Sequence, residues 1–325
     1  MELVDNYGRV LRDLRISVTP RCNYHCVYCH PLGMEMSDPP GTVTTRDVAH
    51  FLRAAARLGM SAVRFTGGEP LVRRELPEMI AAAAATPGVD DVAITTNGTL
   101  FRRRHKELLG AGLRRVNFSL DAVDPEVFRR LTRGGEVAQV WDAIELALEL
   151  ELHPVKLNAV VIGGVNDGEV VRLAELSVDR PLHVRFIEYM HLNNAPFDEY
   201  RRQFVAGAET RARIEERFGP LEEVPTDPSS PARVWRIAGA QGTVGFINSV
   251  SEPFCSNCSR LRLTSDKKIR PCLLTELELD IAWAFDAPDP EAALVEALLA
   301  AAGKKPEKGS TLPTLRERVM LGIGG

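Results

Sequence analysis

LRISVTPRCNYHCVYCHP, residues 14–31, decides how the chain is read. Residues 14–18 read as a short strand, and Cys22, Cys26 and Cys29 follow it at once in the spacing C-x3-C-x2-C. Three soft thiolates from one short loop can hold three corners of a cubane iron-sulfur cluster and leave one iron without a protein ligand. A zinc site completed by His25 or His30 would also be chemically adequate, so the loop alone leaves both open.

Outward from this loop, short apolar runs alternate with helical patterns as far as about residue 190, which is the pattern of repeated βα units and a parallel sheet. Six strands are expected, at 14–18, 62–66, 91–96, 115–120, 154–161 and 182–187, with helices such as 46–58 and 137–150 between them. Six units are too few for a closed eight-stranded barrel. The fold expected is therefore α/β, a partial (β/α)6 TIM-like barrel working at the C-terminal ends of its strands. Cys22, Gly67 and Gly68, Asn97, Asp121 and Glu188 all fall just after an expected strand. An open, doubly wound sheet is the alternative and would bind ligands at a switch point.

After residue 193 the pattern changes to a polar helical stretch, turns at 225–231, and short alternating runs at 233–237, 243–247 and 261–264. A small C-terminal lobe with short antiparallel strands is expected, dividing the chain at 1–192 and 193–325. Residues 292–302 read as a helix, and 304–314 as a mobile or linking segment. This lobe holds Cys255, Cys258 and Cys272, spaced C-x2-C-x13-C. All seven histidines precede residue 192, so a fourth ligand of zinc-ribbon type is missing nearby. A three-thiolate site with an open position fits better, and a cluster there would offer substrate a Lewis-acid coordination point.

Composition sets the outer limits. With 325 residues, 45% hydrophobic and 26% charged, the chain can bury a large core. A net charge of -4 gives no global attraction to nucleic acid, so an anionic substrate must be met by local cations. The six cysteines fall in two groups of three, which reads as metal ligation rather than a disulfide scaffold. Without a signal-peptide pattern or an apolar run long enough for a bilayer, a cytoplasmic enzyme that binds neither membrane nor nucleic acid is expected.

The first cysteine spacing, with Tyr28 between the second and third cysteines and Gly67-Gly68-Glu69-Pro70 after the next strand, resembles the radical S-adenosylmethionine (SAM) superfamily. The segment FCSNCSRLRLTSDKKIRPCLL, residues 254–274, makes the resemblance specific, because it is similar to GTP 3',8-cyclases, also called molybdenum cofactor biosynthesis protein A. The resemblance covers nearly the whole chain. It implies two 4Fe-4S clusters, with SAM chelated at the first and cleaved to a 5'-deoxyadenosyl radical that removes the 3' hydrogen of GTP. The exposed iron of the second cluster would bind the guanine end. This would be the first step of molybdenum cofactor biosynthesis.

By motif match the resemblance assigns Tyr28, Gly68, Ser119 and Met190 to SAM; for Met190 by itself, ordinary strand-end packing is the competing reading. Arg15, Arg64, Thr95, Lys156, Arg185, Arg260, Leu261 and Arg262 are assigned to GTP, and Gly324 and Gly325 to a double-glycine tail that reaches the active site. Ala62 stands where members often carry lysine, which implies one phosphate contact fewer, and residues 30–41 differ from the usual loop. A flavodoxin-like electron donor and a downstream cyclic pyranopterin monophosphate synthase are the implied partners. A homodimer is compatible with the sequence. Peptide-maturing radical SAM chemistry and a zinc-stabilised binding protein remain as rivals.

Overall fold

The computed structural model describes residues 1–30 and 37–324. Six parallel strands, β1 (Asp13–Ser17), β2 (Ala62–Thr66), β3 (Asp91–Thr96), β4 (Arg115–Ser119), β5 (Val155–Val161) and β6 (Leu182–Glu188), lie side by side in chain order. Their order never reverses, so there is no switch point of the doubly wound kind. Between them run α1 (Thr45–Arg57), α2 (Leu76–Ala84), α3 (Phe101–Gly110), the pair α4 (Pro125–Thr132) and α5 (Val137–Glu149), and α6 (Val170–Glu175).

Local chemistry sets the helix starts. Thr44 Oγ1 accepts from the Asp47 amide at 3.2 Å while Asp47 Oδ2 accepts from the Thr44 amide at 2.9 Å, a capping box at the head of α1. Asp124 caps α4 with Pro125 in its first turn.

The C-terminal strands do not make a sheet of their own. Beyond α7 (Phe197–Gln203) and α8 (Gly207–Phe218) come β7 (Glu222–Val224), β8 (Arg233–Arg236) and β9 (Thr243–Ile247), and β9 pairs in parallel with β6. At the opposite edge β10 (Arg260–Leu263) pairs in parallel with β1, followed by β11 (Lys268–Arg270) and β12 (Leu279–Asp280). The antiparallel pairing expected of this part is present, as β7–β8–β9 and β10–β11–β12, but it extends the barrel sheet at both edges. After α9 (Ala282–Phe285), α10 (Pro290–Gly303) packs on α1, and α11 (Met320–Ile323) ends the described chain.

The two-residue period of the strands separates two environments. Leu14, Ile16, Val63, Phe65, Val92, Ile94, Val116 and Phe118 face the helices and form the apolar core. The alternate positions carry Asp13, Arg15, Arg64, Thr95, Lys156, Arg185, Arg260 and Arg262. Arg15 stands in register with both Arg64 and Arg262. Ordinary barrels fill this interior with branched apolar side chains, whereas this one is polar and open.

Candidate active site

The first cysteine loop is held from several sides. The Val27 amide donates to Leu131 O at 2.9 Å, the His25 amide to Thr132 O at 3.2 Å, and Asn193 Nδ2 to Val27 O at 3.0 Å. Tyr28 Oη donates to Asp121 Oδ2 at 2.8 Å. Gly67 and Gly68 lie against the same loop: a Cβ on Gly67 would stand 2.4 Å from Thr19 O, and one on Gly68 2.3 Å from Arg21 O. Only glycine permits that approach, so the pair admits the cysteine loop's own backbone as well as facing the cavity. Glu69 then ties the turn to the end of β3, accepting from Thr96 Oγ1 and the Asn97 amide, each at 2.7 Å. Its burial raises the carboxyl to about 7 against the pull of those hydrogen bonds, and burial likewise raises Asp121 to about 6.

Three adjoining cavities run through the barrel. The upper one lies at the strand C-termini and is lined by Cys22, Cys26, Cys29, Tyr28, Gly68 and Ser119. A central one is lined by Cys255, Cys258 and Cys272 together with Arg15, Arg64, Arg185, Arg260 and Arg262, and has an empty volume of about 1060 Å³. The lower one, at the strand N-termini, adds Lys156 and Arg115 beside Ala62. Thr95, Asn158, Ile187 and Met320 line both the upper and central cavities; Arg15, Arg64, Arg185 and Arg260 line both the central and lower ones.

Two expected positions fall elsewhere. Met190 lines the central cavity beside the second cysteine set rather than the upper one. Leu261, fully buried, belongs to the apolar core, because it lies between two inward-facing arginines on a strand and so points the other way. Glu188, singled out only as a strand-end residue, accepts from the amides of Gly207 at 2.8 Å and Val250 at 2.7 Å, which fixes the approach to Cys255.

The tail reaches the barrel mouth. Gly324 has φ +84°, and a Cβ there would stand 2.8 Å from Ser17 Cβ and 3.1 Å from Thr66 Cγ2. Its carbonyl accepts from Arg262 Nη1 at 2.5 Å. Gly325 lies outside the described residues, as do residues 31–36 of the divergent loop. Upstream, Arg316 Nη1 pairs with Glu276 at 2.9 Å and the Arg316 amide donates to Asn194 Oδ1 at 2.6 Å.

Electrostatically the channel suits an anion. Arg64 Nε, Arg185 Nε, Asn158 Oδ1 and Ser17 Oγ are buried without a hydrogen-bond partner. Each such atom costs about 1–3 kcal/mol that a bound polar ligand can recover. Burial, then the neighbouring cations, depress Arg15, Arg64, Arg185 and Lys156, the last to about 7.

The thiols suit iron. All six are free, and each set of three opens on one cavity. Burial raises the thiols of the first set, Cys22 to about 12, so the free loop disfavours thiolates and binding a cationic metal would release protons. In the second set burial also works against the Cys258 thiolate, but the charges of Lys305 and Arg260 outweigh it and hold that thiol below its usual value.

Comparison with known proteins decides the family. Residues 16–177 match the model of the radical SAM superfamily, and residues 182–311 that of Molybdenum Cofactor Synthesis C. Over 326 residues the chain is 43% identical to the GTP 3',8-cyclase of Pelotomaculum thermopropionicum, with 99% of each covered. The chain belongs to the GTP 3',8-cyclase family. A second cyclase, from Desulforamulus reducens, is 40% identical, covering 99% of this chain and all of the relative. Among solved structures, Streptococcus suis SuiB bound to S-adenosylmethionine has a TM-score of 0.58 at 16% identity, covering 92% of this chain and 69% of its own. Native anSMEcpe with bound AdoMet has 0.56 at 14% identity, covering 88% and 80%. These two likenesses concern the fold, the radical SAM α/β partial barrel.

Lys305, Arg115 and Asn158 were missed in the sequence. Asn158 carried a usable signal, since it follows Lys156 at the two-residue spacing of a strand. Lys305 lies outside regular strands and helices and had none.

Proposed function

We propose that the reaction of this family, closure of a bond between C3' and C8 of GTP as the first step of molybdenum cofactor biosynthesis, takes place in this chain between the two cysteine sets. The observation that carries the reading is adjacency: Thr95, Asn158, Ile187 and Met320 border both cysteine-lined cavities, so two ligands, one in each, would lie side by side. The cofactors are two 4Fe-4S clusters and SAM as co-substrate. Cys22, Cys26 and Cys29 hold the first cluster, and Cys255, Cys258 and Cys272 the second. When bound, the clusters and SAM supply the one-electron chemistry that starts ring closure.

The chain's own residues bind, orient and exclude. Tyr28, Gly68 and Ser119 border SAM, and the unpartnered Asn158 Oδ1 faces the junction of the two ligands. Arg15, Arg64, Arg185, Arg260 and Arg262 hold the anionic length of GTP, and the triphosphate extends toward Lys156 in the lower cavity. Arg115, ion-paired with Asp91, lines that cavity together with Ala62, where the expected lysine is missing. The tail, through Gly324, covers the mouth and keeps water from the reacting carbon. Residues 1–192 supply the SAM half of the site and 193–325 the second cluster and tail. No helix among the described residues is long and apolar enough to cross a membrane. We place the enzyme in the cytoplasm, with a flavodoxin-like protein as electron donor and cyclic pyranopterin monophosphate synthase as the consumer of its product.

The test is anaerobic reconstitution with iron and sulfide, then incubation with SAM, dithionite and GTP, read by mass spectrometry. The expected result is 5'-deoxyadenosine together with an isomer of GTP, both lost in Cys26→Ala and the isomer lost in Cys258→Ala. Stoichiometric zinc without labile sulfide would sink the reading.

A further inference from the structure

Between α10 and the tail, a stretch with no sequence motif crosses the second cysteine set. Lys305 is only 3% exposed, and its Nζ donates to Arg260 O at 2.9 Å and to Pro271 O at 2.7 Å. Those carbonyls lie two residues after Cys258 and one before Cys272. The next two carbonyls of the stretch accept from Arg9, Pro306 O from Nη2 at 2.6 Å and Glu307 O from Nη1 at 2.9 Å. The same Nη1 donates to Cys255 O at 2.7 Å, and Asp5 holds Arg9 through a 2.6 Å ion pair. Gly309 then packs on the last cysteine: a Cβ there would stand 3.0 Å from Cys272 Sγ and 2.7 Å from Leu274 Cβ. Two buried cations, Lys305 on the stretch and Arg9 reaching it from the N-terminal segment, thus tie together all three segments that carry the second set.

The Lys305 ammonium has two main-chain carbonyls and the Cys258 thiol as partners and no carboxylate among the described residues, while Arg9 is neutralised by Asp5. A buried positive charge without a carboxylate is costly unless an anion lies beside it. Lys305 lines the central cavity together with the three cysteines. A cluster ligated by three thiolates is such an anion.

We propose that residues 305–310 form a strap that preorganises the second cysteine set, with the Lys305 ammonium as the buried countercharge of the cluster held there; this rests on the reading that the set holds a cluster. Lys305 is a positioning residue, since it acts through the backbone of the ligand segments and through its charge. Removing the charge should destabilise the reduced, more anionic cluster and shift its reduction potential downward.

The test uses the full-length chain with Cys22, Cys26 and Cys29 changed to alanine, so that the second set alone contributes iron. Lys305→Met is expected to release iron to a chelator ~10–100-fold faster, the usual effect of losing a partner behind a metal ligand, and to lower the potential measured by redox titration. Lys305→Arg should recover most of the potential, and Lys304→Met, one residue away and exposed, should match the parent. Gly309→Ala, which pushes on Cys272 directly, should release iron faster with the charge intact, and it carries the test if Lys305→Met fails to fold by circular dichroism. Release rate and potential both unchanged in Lys305→Met, or in Gly309→Ala an unchanged release rate when that variant stands in, would overturn the strap alone. A parent that takes up no iron would overturn the two-cluster reading with it.

Discussion

Lys156 carries the clearest pH signature of the channel. Burial, then Arg185, Arg115 and Arg64, lower its ammonium from 10.5 to about 7. At pH 8 the empty channel therefore holds Lys156 mostly neutral, and a triphosphate would restore its proton. GTP binding should take up protons at pH 8 and weaken as pH rises through about 7. Calorimetry in two buffers of different ionisation enthalpy should show this uptake in the native chain and not in Lys156→Met, which should also bind GTP ~10–100-fold more weakly, the loss of one charged hydrogen bond. The same depression has a sign for stability. Between about pH 7 and 10.5 the folded chain binds fewer protons here than the unfolded one, so this residue's contribution to stability rises with pH across that window. At this scale Arg15, Arg64, Arg185, Arg260 and Arg262 were named by motif match, and all five line the central cavity. The Leu261 side chain points into the apolar core, as alternation between Arg260 and Arg262 requires, and Lys305 was invisible because irregular backbone has no period to read.

At the scale of elements, strands and helices followed from the sequence to within a residue or two: β2 and β3 fall on their expected bounds, and β5 begins one residue late, after Pro154. The close approach of the glycine turn to Thr19 O and Arg21 O did not, nor did the strap, because each depends on a contact between segments distant in sequence. For Gly68→Ala the added Cβ must displace Arg21 O, and overpacking of this kind costs ~1–3 kcal/mol. We expect the reconstituted variant to keep the second cluster and lose the first, so that iron and sulfide per chain fall by half with a lowered melting temperature. Full iron content would show that the cysteine loop does not depend on this close approach. The segment 304–314, expected to be mobile, is instead pinned by Lys305 and by a His191 Nδ1 contact to Thr314 O at 2.9 Å.

For the molecule as a whole, the two family segments, residues 16–177 and 182–311, share one continuous sheet. β10 covers the free edge of β1 and β9 that of β6, so residues 193–325 supply both neighbours that the six-stranded sheet lacks. Sequence could not show this, since register between distant strands leaves no local trace. A fragment of residues 1–192 would expose two long parallel edges, the arrangement that favours aggregation. It should show no cooperative thermal transition, whereas the full chain should show one. A soluble fragment that unfolds cooperatively would make the barrel autonomous.

If SAM and GTP lie side by side where Thr95, Asn158, Ile187 and Met320 border both cavities, the 3' hydrogen of GTP is within reach of SAM. GTP deuterated at C3' tests it most directly. One turnover of the reconstituted enzyme with this substrate, SAM and dithionite should place one deuterium in 5'-deoxyadenosine and remove it from the nucleotide product. Unlabelled 5'-deoxyadenosine, formed while GTP keeps its deuterium, would contradict the account.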